Sequence, residues 1–78
     1  MLVRRIYKAD KLEGWRIPLN FLVEYENEVV GRIAYVEFLP NFDVELAFNI
    51  DDNIANYVPF EDLWLVDIER GVKCKINC

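Results

Sequence analysis

The stretch Tyr57-Val58-Pro59-Phe60-Glu61-Asp62-Leu63-Trp64-Leu65-Val66-Asp67 decides how this chain is read. It joins a proline, an acidic pair and a tryptophan to an apolar run, and it is either a binding site or a corner of the fold. Pro59 fixes its own φ and starts a turn well. Glu61 and Asp62 suit the N-terminal side of a single helical turn, where free N–H groups point outward. Leu63 is then expected to plug one end of a core while Trp64 takes the opposite face. The stretch reads mainly as a corner, with Tyr57 and Trp64 left over as candidates for contact with a ligand.

Outward from this corner, strand periodicity dominates. Leu19, Phe21, Val23 and Tyr25 alternate with Asn20, Leu22, Glu24 and Glu26, giving a half-buried strand. Glu26-Asn27-Glu28 is short and polar enough for a hairpin turn, and Asn27 is best able to turn left-handed. Val29 to Phe38 forms the next strand, apolar on both faces and therefore central or strongly curved, with Gly31 marking a bulge or bend. Leu39-Pro40-Asn41-Phe42 breaks it. Val44, Leu46, Phe48 and Ile50 then alternate with Glu45, Ala47 and Asn49. Asp51-Asp52-Asn53 reads as a tight turn, and Ile54 to Val58 as a short strand stopped by Pro59. Leu63 to Ile68 and Val72 to Asn77 are the last two strands, parted by Glu69-Arg70-Gly71. At the front, Leu2, Val3, Ile6 and Tyr7 give a less regular strand. Asp10 to Pro18, with Gly14, Trp15 and Pro18, reads as a loop with room for one helical turn. The helical period fits nowhere for more than two turns. The expected fold class is all-β: one domain over residues 1–78, a small barrel of five to seven short antiparallel strands with one 3₁₀ turn near residues 59–63.

The order of these pieces is similar to the SH3-like barrel superfold over residues 19–68. The pieces are the bent hairpin VEYENEVVGRIAYVEF, the strand and turn VELAFNIDDN, and the corner YVPFEDLWLVD. The resemblance implies a short strand running into a 3₁₀ turn of the VPxEDL type before the closing strand. It also implies that aromatics beside that turn, here Tyr57 and Trp64, line a ligand groove. Trp15, in a loop between breakers, is a third candidate. No ALYDY-like opening is present, and the hairpin that would hold an acidic specificity loop is only Glu26-Asn27-Glu28, so a Pro-rich peptide is not the expected ligand. Tyr25, Tyr57, Trp64 and nearby carboxylates have the chemistry of a cage for a methylated cation, although such aromatics serve more often as core. A superfold hosts many functions and assigns none.

Charge separates partner classes. The 78 residues are 54% apolar and 14% aromatic, which predicts a folded chain, and the net charge is −5. That balance argues against general affinity for nucleic acid or anionic membrane. No apolar run approaches the ~20 residues that span a bilayer. Arg4 and Arg5 interrupt the apolar start at once, unlike a signal peptide, so the expected compartment is the cytoplasm. Residues 1–16 carry +3, residues 24–67 carry −10, and residues 69–78 carry +2. Two readings follow. The basic ends fold back and neutralise the acidic middle, or part of the middle stays open for a basic partner.

The residue types exclude much catalytic chemistry. The chain has no His, Ser or Thr, so the commonest general base and the hydroxyl nucleophiles other than Tyr are missing. Three glycines make no phosphate cradle. Asp51-Asp52-Asn53 lacks the spacing and distal Glu of a calcium loop. Cys74 and Cys78 stand four apart on a strand pattern, roughly 13 Å at ~3.3 Å per residue, too far for a disulfide. Cys74 is expected as a small core residue and Cys78 as a terminal thiol. No enzyme activity, cofactor or metal is expected.

The expected function is therefore non-catalytic binding of another macromolecule through an acidic and aromatic surface. Its candidate residues are Glu24, Glu26, Glu28, Glu45, Asp51 and Asp52, with Trp15, Tyr57 and Trp64. One class with these features is the small inhibitor that phages and mobile elements direct against host defence or nucleic-acid enzymes. The alternative is an accessory or structural subunit of a larger enzyme complex, with Leu22, Val30 and Phe42 at the interface. A peptide or small-ligand reader with an aromatic groove is the third. The expected partner is a protein with a basic surface, without direct nucleic-acid or membrane binding. A homo-oligomer is also open.

Overall fold

The computed structural model describes residues 1–8 and 21–76. Six strands form one sheet: β1 (Leu2–Lys8), β2 (Leu22–Tyr25), β3 (Glu28–Leu39), β4 (Asp43–Ile50), β5 (Trp64–Asp67) and β6 (Val72–Lys75). Their spatial order is β1-β4-β3-β2-β5-β6, and every neighbouring pair is antiparallel. The sheet curls into a half-barrel, an all-β architecture that fits a small SH3-like barrel.

β2 and β3 are closed by a two-residue turn in which Glu26 (φ 52°) and Asn27 (φ 67°) are both left-handed. That is the primed turn geometry whose twist matches the flanking strands. β3 lies between β2 and β4 and is bent at two places. Its pairing with β2 slips between Val23 and Glu24, opposite Gly31 and Val29, and its pairing with β4 slips between Ile33 and Tyr35. Each slip is a bulge, which bends and twists the strand. Gly31 is required at the first bend, because a Cβ there would stand 2.4 Å from the Asn49 carbonyl oxygen. β3 is thus both central and curved, and the half-barrel takes its shape from it.

The corner at residues 59–64 folds as expected. Pro59 precedes a 3₁₀ turn over Phe60–Asp62, with Glu61 and Asp62 in its first turn. The Leu63 N–H closes the turn on the Phe60 carbonyl at 3.1 Å. Leu63 is buried and Trp64 faces out.

One element differs. Ile54 to Val58 is expected as a strand after a tight turn, but Asp52–Tyr57 is a short helix, α1. Asp51 is its N-cap, and its carboxylate accepts from the Asn53 and Ile54 N–H groups. A strand here would need a free sheet edge beside β4. That edge is taken by β1, whose seven residues all pair with β4. With β4 paired on both sides, the segment satisfies its own backbone as a helix and turns Ile54, Ala55 and Val58 onto the core.

Tyr7, Phe21, Val23, Ile33, Val44, Leu46, Phe48, Ile50, Leu63, Leu65 and Ile76 form the buried cluster. Cys74 is half-buried and packs against it. The Tyr7 hydroxyl donates to the Ile76 carbonyl, joining β1 to the residue that follows β6. The expected loop over residues 10–18, with Trp15, lies outside the described residues, as do Leu19, Asn20, Asn77 and Cys78.

Candidate functional site

The outer face of β2, β5 and β6 carries the candidate site. Register places Glu24 opposite Trp64 and Trp64 opposite Lys75, so the three form one row across the sheet. Parity explains the row: Val23, Leu65 and Cys74 pair one residue away and turn toward the core. Trp64 is 36% exposed. The Lys75 ammonium sits 4.6 Å from its centroid, a cation–π contact. Lys73 bonds the Glu24 carboxylate at 2.8 Å from the neighbouring row. Together with the turn residues Glu26 and Asn27, these side chains line a cleft of about 240 Å³: Glu24, Glu26, Asn27, Trp64 and Lys73.

Tyr25 stands behind the turn, its ring against the core. Its hydroxyl is held above the ordinary tyrosine value, first by the negative charge of Glu26, then by burial and a hydrogen bond with Glu26, and last by the charge of Asp62. Acidic groups from the turn and from the Phe60–Asp62 corner therefore converge at this end of the sheet.

The other candidates are dispersed. Glu28 is exposed at the start of β3. Glu45 is half-buried on the outer face of β4 and accepts from the Tyr35 hydroxyl at 2.9 Å, which accepts in turn from Arg4 Nε at 2.7 Å. This chain holds the Arg4 guanidinium still more firmly charged than usual, chiefly through the Tyr35 bond. Asp51 is committed to capping α1. Asp52 bonds the Met1 ammonium at 2.8 Å, and the same ammonium donates to the Ile50 carbonyl. Tyr57 ends α1, is 82% exposed, and is not among the residues lining the cleft.

Both basic ends meet the acidic middle. Met1 pairs with Asp52, Lys8 with Asp43, and Lys73 with Glu24. The cleft is consequently not a purely acidic trough. Its tryptophan face already holds an ammonium, which a ligand cation would have to displace. Among the described residues, no three His, Cys, Asp or Glu side chains converge as metal ligands, and no helix is long and apolar enough to cross a membrane.

Two features were not read from the sequence. Arg5 lies over the Phe60 ring at 4.2 Å, bracing β1 against the corner. Phe38 is exposed beside Phe42 at the β3–β4 tip. The run Phe38-Leu39-Pro40-Asn41-Phe42, apolar around a breaker, was the available signal for that tip. No family model matches the chain, and no curated protein or solved structure matches it either.

Proposed function

We propose that this chain is a non-catalytic binding protein that engages a partner protein through the outer face of β2, β5 and β6. The observation that carries this reading is Trp64, a large aromatic turned away from the core and set beside Glu24 and Glu26 in an open cleft. Exposed tryptophans in such settings are the residues that dominate interface energies. The carboxylates favour a partner with a basic surface and steer its approach. The reading extends to a small cytoplasmic inhibitor or regulator, a role that the 78-residue length and the carboxylates of the cleft suit.

The test is a tagged pull-down from lysate of the native host at low and high salt, run in parallel for the parent, Trp64→Ala and Glu26→Lys. One partner captured at low salt, weakened at high salt and lost with both variants is the expected result. A partner held equally by all three proteins at both salts overturns the reading. Trp64 lies outside the buried cluster, so Trp64→Ala should keep its fold, which circular dichroism checks.

A second reading, the accessory subunit, is favoured by Phe42, an expected interface residue that is 87% exposed. Leu22 and Val30, named with it, are half-buried. A stoichiometric partner that survives high salt is the outcome this reading expects.

A further inference from the structure

We propose that the β3–β4 tip is an anchor that inserts into an apolar, basic-rimmed pocket on a partner protein. The proposal rests on the reading that the chain acts by binding another protein. It adds a second contact surface, at the opposite end of β3 from the Glu26-Asn27 turn.

The tip is the turn Pro40–Phe42 between β3 and β4. Phe38 is 77% and Phe42 87% exposed. Between them lies a hollow of about 310 Å³, lined by Phe38, Leu39, Asn41, Phe42, Asp43 and Val44. Asn41 (φ 65°) and Phe42 (φ 61°) are both left-handed. Asn tolerates that region; a bulky aromatic does so only under strain. Phe42 contributes nothing to its own core, so the strain has no return inside this fold. A strained residue that presents a ring to solvent points to contact outside the molecule. The tip is also braced. The Asp43 N–H closes the turn on the Pro40 carbonyl, and Lys8 bonds the Asp43 carboxylate at 2.8 Å, tying the base of the tip to β1. A braced knob loses little freedom on docking.

Geometry and charge select the occupant. Two phenyl rings offer together roughly 300–500 Å², whereas a stable interface takes about 800 Å² from each partner. The tips of two copies meet over too small an area. A concave pocket wraps the rings and gains the remaining area from the flanks. One flank carries an exposed carboxylate. Glu37 stands opposite Glu45 across the β3–β4 ladder; Glu45 is already held by Tyr35, itself bonded to Arg4, and Asp43 by Lys8, so Glu37 is the carboxylate that a cation at a pocket rim meets. With a net charge of −5, the same carboxylates repel an anionic lipid surface.

The experiment places the photo-crosslinker p-benzoylphenylalanine at Phe42 in the full chain, irradiates cells of the native host, and maps the crosslinked peptides. The expected product joins position 42 to residues of a different protein, inside an apolar pocket with Lys or Arg at its mouth. Its yield should fall at least about tenfold when Phe38→Ser is added. Crosslinks to a second copy of this chain, to lipid, or to a flat or acidic surface overturn the proposal, as does the absence of any crosslink. Phe42→Gly separates binding from folding. It should melt at or above the parent temperature, since glycine relaxes the left-handed position, and it should lose the partner; a lowered melting temperature removes the strain argument. A partner that needs Trp64 but is still captured by Phe42→Gly leaves the binding function standing and eliminates the anchor.

Discussion

Tyr25 shows how single side chains couple the fold to its acidic end. Its ring belongs to the core, while its hydroxyl answers first to the charge of Glu26, then to burial and the Glu26 bond, and least to Asp62. All of these favour the neutral phenol, so the folded state holds the proton above the usual pKa of about 10. The linkage has a definite sign. The stability from this group is fully present below pH ~10 and is lost as pH rises through the raised folded value. Absorbance at 295 nm should place the Tyr25 midpoint above that of a free tyrosine. Glu26→Gln should move the midpoint back toward it further than Asp62→Asn does; equal midpoints in parent and Glu26→Gln would remove Glu26 as the cause. Part of this end was legible in the sequence. Strand parity put Leu63 inside and Trp64 outside, and the composition of the turn put Asn27 in a left-handed position. The Lys75 ammonium over Trp64 was not legible, because the β5–β6 register creates it and no local pattern encodes that register.

Among the elements, α1 is the one whose identity depends on a neighbour. Ile54 to Val58 is five residues long, too short for a strand period and a helical period to be told apart. Asp51 as cap, followed by apolar Ile54, Ala55 and Val58, is a helical signal in retrospect. What decided between them is far away in sequence, since β1 occupies the edge of β4 that a strand here would have needed. β1 was itself hard to recognise as a regular strand, because adjacent Arg4 and Arg5 mask its alternation. The remaining strands were legible because their faces differ sharply, as in Val44, Leu46 and Phe48 against Glu45 and Asn49. Since α1 has only six residues, its cap carries a large share of its stability. Asp51→Ala should cost about 1 kcal/mol, read as a fall of roughly 4–8 °C in Tm for a domain of this size. An unchanged Tm would show that tertiary packing of Ile54 and Val58 alone holds the helix.

The whole molecule is an acidic sheet clasped by its basic ends, and the clasp is made twice. Among the described residues, three ion pairs join the ends to the middle at the surface, where each contributes at most about 1 kcal/mol. The buried tie is Tyr7 to Ile76, across 69 residues of chain. Tyr7→Phe keeps the ring and strips the donor, leaving a buried carbonyl unsatisfied, and should cost about 1–3 kcal/mol in urea unfolding. Hydrogen exchange should quicken in β1 and at Ile76 and stay unchanged in the centre of β4; uniform quickening would mean that the half-barrel opens only as a unit. The position of β1 also separates the order of synthesis from the order of assembly. β1 is made before its partner, and its ladder to β4 waits at least 35 residues, from Lys8 to Asp43, while the β2–β3 hairpin closes locally. We expect pulse-labelled refolding to protect amides of β2 and β3 before those of β1, and the reverse order would refute this sequence of events. During that interval LVRRIYK is a nascent, unpaired strand. Arg4, Arg5 and Lys8, which in the finished sheet hold Tyr35, the Phe60 ring and Asp43, are then what discourages the waiting segment from pairing with the chain emerging beside it.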